Sequence, residues 1–126
     1  RVTDGALVVV EDEMVSSLFL TRCVQRMGHR VVGTASTGIE ATAKADALRP
    51  DLVIMDVGLK GKMNGVQAAE IISRQCRIPT LFVSAYTREE IRRHGELPEE
   101  FDYLPKPVDG EQLERKLRDI FARADS

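Results

Sequence analysis

Three short apolar runs in this 126-residue chain each end in charge. Leu7-Val8-Val9-Val10 leads into Glu11-Asp12, Leu52-Val53-Ile54-Met55 into Asp56, and Phe101-Asp102-Tyr103-Leu104-Pro105 into Lys106-Pro107. Short apolar runs separated by helical patterns read as parallel strands buried on both faces. In an open parallel sheet, ligands sit outside the carboxyl ends of the strands. Three acids and one lysine therefore converge on one edge. Like charges this close raise each other's pKa and strain the fold. Lys106 supplies one compensating charge, a pair worth about 4 kcal/mol at ~4 Å and an effective dielectric near 20, before desolvation. A divalent cation would neutralise more, and hard oxygen ligands in a small, partly wet site favour Mg²⁺.

A carboxylate beside a metal and a lysine can attack phosphorus and form an acyl phosphate. The metal and the ammonium stabilise charge on the transferring oxygens. Asp56 is the best nucleophile candidate because it closes the most apolar strand, which leaves Glu11 and Asp12 to hold metal. Acids at strand ends also cap helices and turns, and Asp12 or Asp56 alone is read equally well that way; four convergent groups favour a site. Ser84 closes the fourth strand, where its hydroxyl can bond a phosphoryl oxygen or a sheet-end turn. Ala85 follows, small enough to leave access. Lys106-Pro107 is either a cis bond in a tight turn or a proline at the first turn of the last helix.

The elements that must position these groups are legible in outline. Strands are expected at Ala6 to Val10, Arg30 to Ala35, Leu52 to Asp56, Pro79 to Ser84 and Asp102 to Pro105. The first helix is expected over Met14 to Met27, with Leu18, Leu20, Val24 and Met27 at near-helical spacing and Gly28 as its stop. Thr37-Gly38 opens a second helix, which runs to Leu48 and is broken by Arg49-Pro50. A third is expected from Gly65 to Gln75 and a fourth from Arg88 to His94, with Thr87 and Glu90 in the capping-box pattern. The fifth runs from Val108 to Ala124, with Leu113, Leu117, Ile120 and Phe121 on one face. Five strands alternating with five helices give an α/β, doubly wound (βα)5 sandwich. Right-handed crossovers favour a five-stranded parallel sheet of order 2-1-3-4-5, with strands one and three at the switch point.

Length and composition fit one domain over residues 1–126, with 43% hydrophobic and 30% charged residues. A net charge of −2 and the absence of Trp argue against nucleic-acid binding by this chain. No run is long enough to span a bilayer. Arg1-Val2-Thr3-Asp4-Gly5 reads as an exposed lead-in rather than a signal peptide. Cys23 and Cys76 read as reduced core thiols, which points to a cytoplasmic location.

Glu11-Asp12, Asp56, Ser84-Ala85 and Lys106-Pro107, in this order and spacing, resemble the receiver domain of two-component response regulators, over almost the whole chain. The resemblance implies that Asp56 is the phosphoacceptor, charged by a sensor histidine kinase or phosphotransfer protein. It implies Mg²⁺ held by Glu11, Asp12, Asp56 and the backbone carbonyl of Gly58, with Lys106 on the phosphoryl group. Ser84 would be the switch hydroxyl and Tyr103 the switch aromatic. The face of helix four, strand five and helix five would respond, and is a candidate homodimer surface. Gly58 and Tyr86, with Ala85 and Pro107, flank the phosphoryl site. The chain departs from the commonest pattern in having Glu11 in place of Asp, a longer 57–65 loop without Pro after Leu59, and an open Gly58. It would be a switch that catalyses only its own phosphorylation and dephosphorylation. Three rivals are weaker. A haloacid-dehalogenase-type phosphatase lacks its second acid, since Gly58 stands there. A flavin or nucleotide binder lacks a GxGxxG or P-loop. A non-phosphorylated adaptor would not need these acids with Lys106. No effector pattern follows the fifth helix, as in a stand-alone receiver or one cut from a longer protein.

Overall fold

The computed structural model describes residues 5–124. In chain order the elements are β1 (Ala6–Val10), α1 (Met14–Arg26), β2 (Arg30–Ala35), α2 (Gly38–Leu48), β3 (Leu52–Met55), α3 (Gly65–Cys76), β4 (Thr80–Ser84), α4 (Arg88–Arg92), β5 (Asp102–Pro105) and α5 (Gly110–Ala124). The strands form one parallel sheet of order β2-β1-β3-β4-β5. This is the expected doubly wound topology.

Alternation along each strand divides the core in two. Val8, Val10, Val53, Met55 and Phe82 face α2, α3 and α4, where they meet Ala41, Ala45, Val66, Ala69, Ile72 and Ile91. Leu7, Val9, Leu52, Ile54, Leu81 and Val83 face α1 and α5, against Leu20, Val24, Leu113, Leu117 and Phe121. Each of the Val, Leu, Ile, Met and Phe side chains among them stabilises the fold by about 1.5–3 kcal/mol when removed from water. The central strands β1 and β3 are thus apolar throughout because both faces are covered.

The register fixes the polar edge. Val10 pairs with Met55, so the residues that follow them emerge side by side. The ladder continues one step past the strands: Glu11 N–H donates to the Ala35 carbonyl at 2.9 Å, Asp56 N–H to Val10 at 3.0 Å, and Lys106 N–H to Ser84 at 2.9 Å. The site residues are therefore held by sheet hydrogen bonds, although β3 itself ends at Met55, one residue before the expected limit.

Several local expectations need correction. Leu18 is half exposed, and α1 buries Leu20, Cys23 and Val24 instead. Residues two apart on a helix lie about 200° apart, so Leu18 and Leu20 cannot share a face. Helix α5 starts at Gly110 rather than Val108 because Asp109 caps it: its Oδ1 accepts from Gln112 N–H at 2.7 Å, and Gln112 Oε1 accepts from Asp109 N–H at 3.1 Å. Pro107 thus lies outside the helix, and Lys106-Pro107 is cis. Helix α4 stops at Arg92, short of His94. Cys23 is buried, but Cys76 is only partly so; both are free. Arg1 to Asp4 of the expected lead-in lie outside the described residues. Gly5 is buried, its N–H donating to His29 Nδ1 at 2.9 Å. The capping boxes at Thr87/Glu90 and Asn64/Gln67 are both formed.

Gly65 seats the 57–64 loop. A Cβ there would lie 2.1 Å from the Asp56 carbonyl oxygen and 2.8 Å from Val57 Cα. Gly65→Ala should therefore lower the urea midpoint, with a loss of about 1–3 kcal/mol from overpacking. Gly110→Ala, whose Cβ would meet Cys23 Sγ at an ordinary 3.6 Å, should leave the midpoint unchanged or raise it. Equal midpoints for the two variants would contradict this packing.

Candidate functional site

Glu11, Asp12 and Asp56 offer carboxylate oxygens that all lie within 4.8 Å of one another. Lys106 reaches into this group from the end of β5. Its Nζ donates to Glu11 Oε1 at 2.6 Å and to Asp56 Oδ2 at 3.4 Å. The expected convergence of three acids and one lysine is therefore present, with the lysine closer to Glu11 than to Asp56.

Each acid has a distinct environment. The Glu11 side chain is 1% exposed. Both of its oxygens are engaged, since Oε2 accepts from Glu13 N–H at 3.1 Å. The Asp56 side chain is 10% exposed, and its Oδ1 accepts only a long bond of 3.3 Å from Gly58 N–H. Asp12 is half-buried. Asp56 thus keeps the freest carboxylate oxygen that is also fixed in place, as an attacking group requires.

Burial pushes the Glu11 carboxyl above its ordinary value, and the bonds from Lys106 and Glu13 N–H offset this only in part. Burial pulls the Lys106 ammonium down, but the Glu11 hydrogen bond and the Asp56 charge outweigh it, so its pKa stands above the ordinary value. The two directions have different causes. Glu11 is penalised by its dry surroundings, whereas Lys106 gains from two carboxylates, so the lysine's gain holds the pair together. A lysine raised in this way contributes stability that is complete below its unfolded value of about 10.5 and is lost as pH rises through the folded value.

An all-oxygen donor set of three carboxylates, with only one ammonium to balance it, suits a hard divalent cation. A cation bound by Glu11 would have to share its carboxylate with Lys106 or displace the lysine.

Ser84 is buried at the end of β4, and its Oγ accepts from Tyr86 N–H at 3.2 Å. The Tyr86 carbonyl accepts from the Tyr103 hydroxyl at 2.6 Å. Burial pushes the Tyr103 phenol up, so it stays protonated and a donor. The backbone of Tyr86 is thus held by Ser84 on one side and Tyr103 on the other. Ala85 between them is exposed, as is Pro107, and neither obstructs the edge. Gly58 is exposed opposite Tyr86: a Cβ at Gly58 would sit 3.6 Å from Tyr86 Cε2 and 3.7 Å from its hydroxyl.

A family model for the response regulator receiver domain matches residues 7–118. The chain belongs to this family. Protein PilH of Pseudomonas aeruginosa is 30% identical over 119 residues, which cover 92% of this chain and 97% of PilH. Phyllosphere-induced regulator PhyR of Methylorubrum extorquens is 30% identical over 102 residues, 80% of this chain and 38% of that protein. The response regulator PhyR from Brucella abortus superposes with a TM-score of 0.83 at 28% identity, over 99% of this chain and 51% of that one. The response regulator domain of CheB from Thermotoga maritima superposes with a TM-score of 0.75 at 26% identity, over 96% of each chain. This receiver domain therefore spans nearly all of PilH and well under half of the Methylorubrum PhyR. Receivers are signalling switches rather than enzymes with a turned-over substrate. No helix among the described residues is long and apolar enough to cross a membrane.

Two neighbours of the site were not legible in the sequence. The Arg88 guanidinium lies 5.3 Å from the Tyr103 ring centroid and 4.8 Å from that of Phe101, while its Nη1 donates to the Phe101 carbonyl at 3.2 Å. The His94 imidazole stacks on Tyr86, with centroids 5.1 Å apart and planes 25° from parallel. Ring pairs of this kind contribute about 0.5–1.5 kcal/mol beyond burial. No local spacing signals either contact, because each joins a turn to an element folded back on it.

Removing Lys106 leaves the acids unneutralised. Lys106→Met should lower unfolding free energy at neutral pH without divalent cations by about 1–3 kcal/mol, less than for a fully buried pair because the lysine is part exposed. The deficit against the parent should shrink as pH falls through the carboxylate range, where the crowded acids discharge. Urea unfolding at a series of pH values checks this; a deficit that grows on acidification would contradict it.

Proposed function

We propose that this receiver domain is the phosphoacceptor of a His-Asp phosphorelay, with Asp56 as the acceptor and a sensor histidine kinase or phosphotransfer protein as donor. The observation that carries this reading is Lys106 bridging Glu11 and Asp56 beside Asp12. A carboxylate oxygen of Asp56 forms a bond to phosphorus, and the phosphorus–nitrogen bond of the donor phosphohistidine breaks, its electron pair leaving with the imidazole. Glu11, Asp12, Asp56 and the Gly58 carbonyl would hold Mg²⁺, which supplies neutralisation of the transferring oxygens. Lys106 contributes a further positive charge beside Asp56. Exchange of its Glu11 bond for a phosphoryl oxygen moves it toward Asp56.

The phosphoryl group adds roughly −1.5 to −2 charges and strong acceptors. Ser84 keeps its own O–H to donate, and turning it to a phosphoryl oxygen withdraws its Oγ from the Tyr86 N–H. The Tyr86 turn then shifts, and the Tyr103 hydroxyl loses its carbonyl partner. This carries the change to the surface of α4, β5 and α5, our candidate for a homodimer contact. Moving the switch from mostly off to mostly on needs about 5.5 kcal/mol of differential stabilisation. Charge-assisted hydrogen bonds of about 1.5–3 kcal/mol each, from Lys106, Ser84 and the Asp56 surroundings, suffice.

On this reading the domain works in the cytoplasm, beside the kinase's catalytic portion. A PhyR from Bartonella quintana, described as an anti-anti-sigma factor, is 26% identical to this chain. A protein that regulates a sigma factor is therefore a second class of downstream partner. Incubation with Mg²⁺ and a small phosphodonor should add one phosphoryl mass, mapped to Asp56 and lost in Asp56→Asn and on chelation of the metal. A chain that gains no mass would instead be a non-phosphorylated adaptor.

A further inference from the structure

The His94 imidazole, in the turn after the five-residue α4, is held by a hydrogen bond at one edge and a ring contact on one face. A backbone carbonyl only accepts, so the 2.7 Å contact between His94 Nδ1 and the Glu90 carbonyl places a proton on Nδ1. The His94 carbonyl accepts from Asn64 Nδ2 at 3.5 Å, at the N-cap of α3. Two residues on, Glu96 N–H donates to Glu70 Oε1 at 3.0 Å, in the middle of α3. The 94–96 segment is thus tied to the helix that follows the Asp56 loop. Against this anchored ring lies Tyr86. The phenol end of Tyr86 reaches Gly58, whose N–H is bonded to Asp56 Oδ1. Gly58 has no side chain, and the Tyr86 ring is the side chain that lies nearest the space a Cβ would fill there.

We propose that His94 is a positioning residue for the phosphoacceptor site: its stacked imidazole holds the Tyr86 ring against Gly58, where the ring limits the access of water to phosphorylated Asp56. The inference rests on the phosphoacceptor reading for its consequence, but its geometric half does not. In the reaction it restrains, a water oxygen bonds to phosphorus and the bond from phosphorus to the Asp56 carboxylate breaks. The carboxylate leaves with the electron pair, inorganic phosphate departs, and the proton lost by the water passes to solvent. In the unphosphorylated chain, loss of the imidazole leaves Tyr86 both backbone bonds, to Ser84 and Tyr103, but its ring loses the surface that directs it toward Gly58. The backbone switch would survive while the cover opened.

Two measurements on the full chain test this. The first uses no phosphodonor. Nuclear Overhauser contacts between the Tyr86 ring and the Gly58 α-protons should be present in the parent and in His94→Phe, which keeps a ring, and lost in His94→Ala. The chain has only two tyrosines, so the ring signals are separable. Retention of the contacts in His94→Ala would overturn the inference. The second follows loss of the phosphoryl mass after the donor is removed. His94→Ala should shorten the lifetime several-fold, most of the way to Tyr86→Ala. The double variant should be no shorter-lived than Tyr86→Ala, and His94→Phe should retain most of the parent lifetime. Additive effects, or an unchanged lifetime in His94→Ala beside a shortened one in Tyr86→Ala, would overturn the inference. Should the parent take up no phosphoryl group, the phosphoacceptor reading fails, and the proton contacts alone decide the role of His94.

Discussion

The crowding of Glu11, Asp12 and Asp56 at the ends of two adjacent buried strands is the constraint on which the rest of the structure depends. Parallel pairing of β1 with β3 places these acids side by side whatever else the chain does. Their mutual repulsion can be met by protonation, by a bound cation or by a lysine. Lys106 meets it from β5, two strands away from β3 in the sheet, and touches two of the three carboxylates. One positive charge against three negative ones leaves the edge short of neutrality. That shortfall is the opening for the cation proposed above, which in turn would make a phosphoryl group on Asp56 tolerable.

The same edge supplies a route outward. Ser84 lies between Asp56 and Lys106 in the sheet, and Tyr103 lies on β5 three residues before the lysine. What joins them is the backbone of one half-buried turn residue, Tyr86, whose N–H and carbonyl they occupy. Three nearby groups set what this turn can do: Arg88 over the Tyr103 ring, His94 against the Tyr86 ring, and bare Gly58. Backbone bonds and ring contacts at Tyr86 can therefore be varied separately. A receiver can in this way keep one switching mechanism while changing how long it stays switched.

Much of this was legible in the sequence because the signals were local. Apolar runs that end in charge located three of the strands and all four charged groups, and Thr87 with Glu90 located the start of α4 through a capping box. Asp109 with Gln112 carried the same signal for α5, and the proline before it drew the expected start two residues too early. Leu18 is apolar yet exposed, because the helical angle turns it away from the face on which Leu20 is buried. His94 and Arg88 were illegible for a different reason. Their partners lie eight and fifteen positions away, across turns whose path no periodicity records. Likewise, spacing could place Lys106 among the acids, but not show that it bonds Glu11 more closely than Asp56.

That preference leads to the most direct test of the account. In the unphosphorylated chain Lys106 is closer to Glu11; once Asp56 carries a phosphoryl group, the lysine should have changed partners. A crystal structure of the chain phosphorylated in the presence of Mg²⁺ reads this at once. The account predicts the phosphoryl group on Asp56, Lys106 Nζ in hydrogen-bond contact with one of its oxygens, and the Glu11 carboxylate released from the lysine. A phosphoryl group on any other residue, or a Lys106–Glu11 contact that persists while the phosphoryl oxygens go unbonded by the lysine, would contradict it.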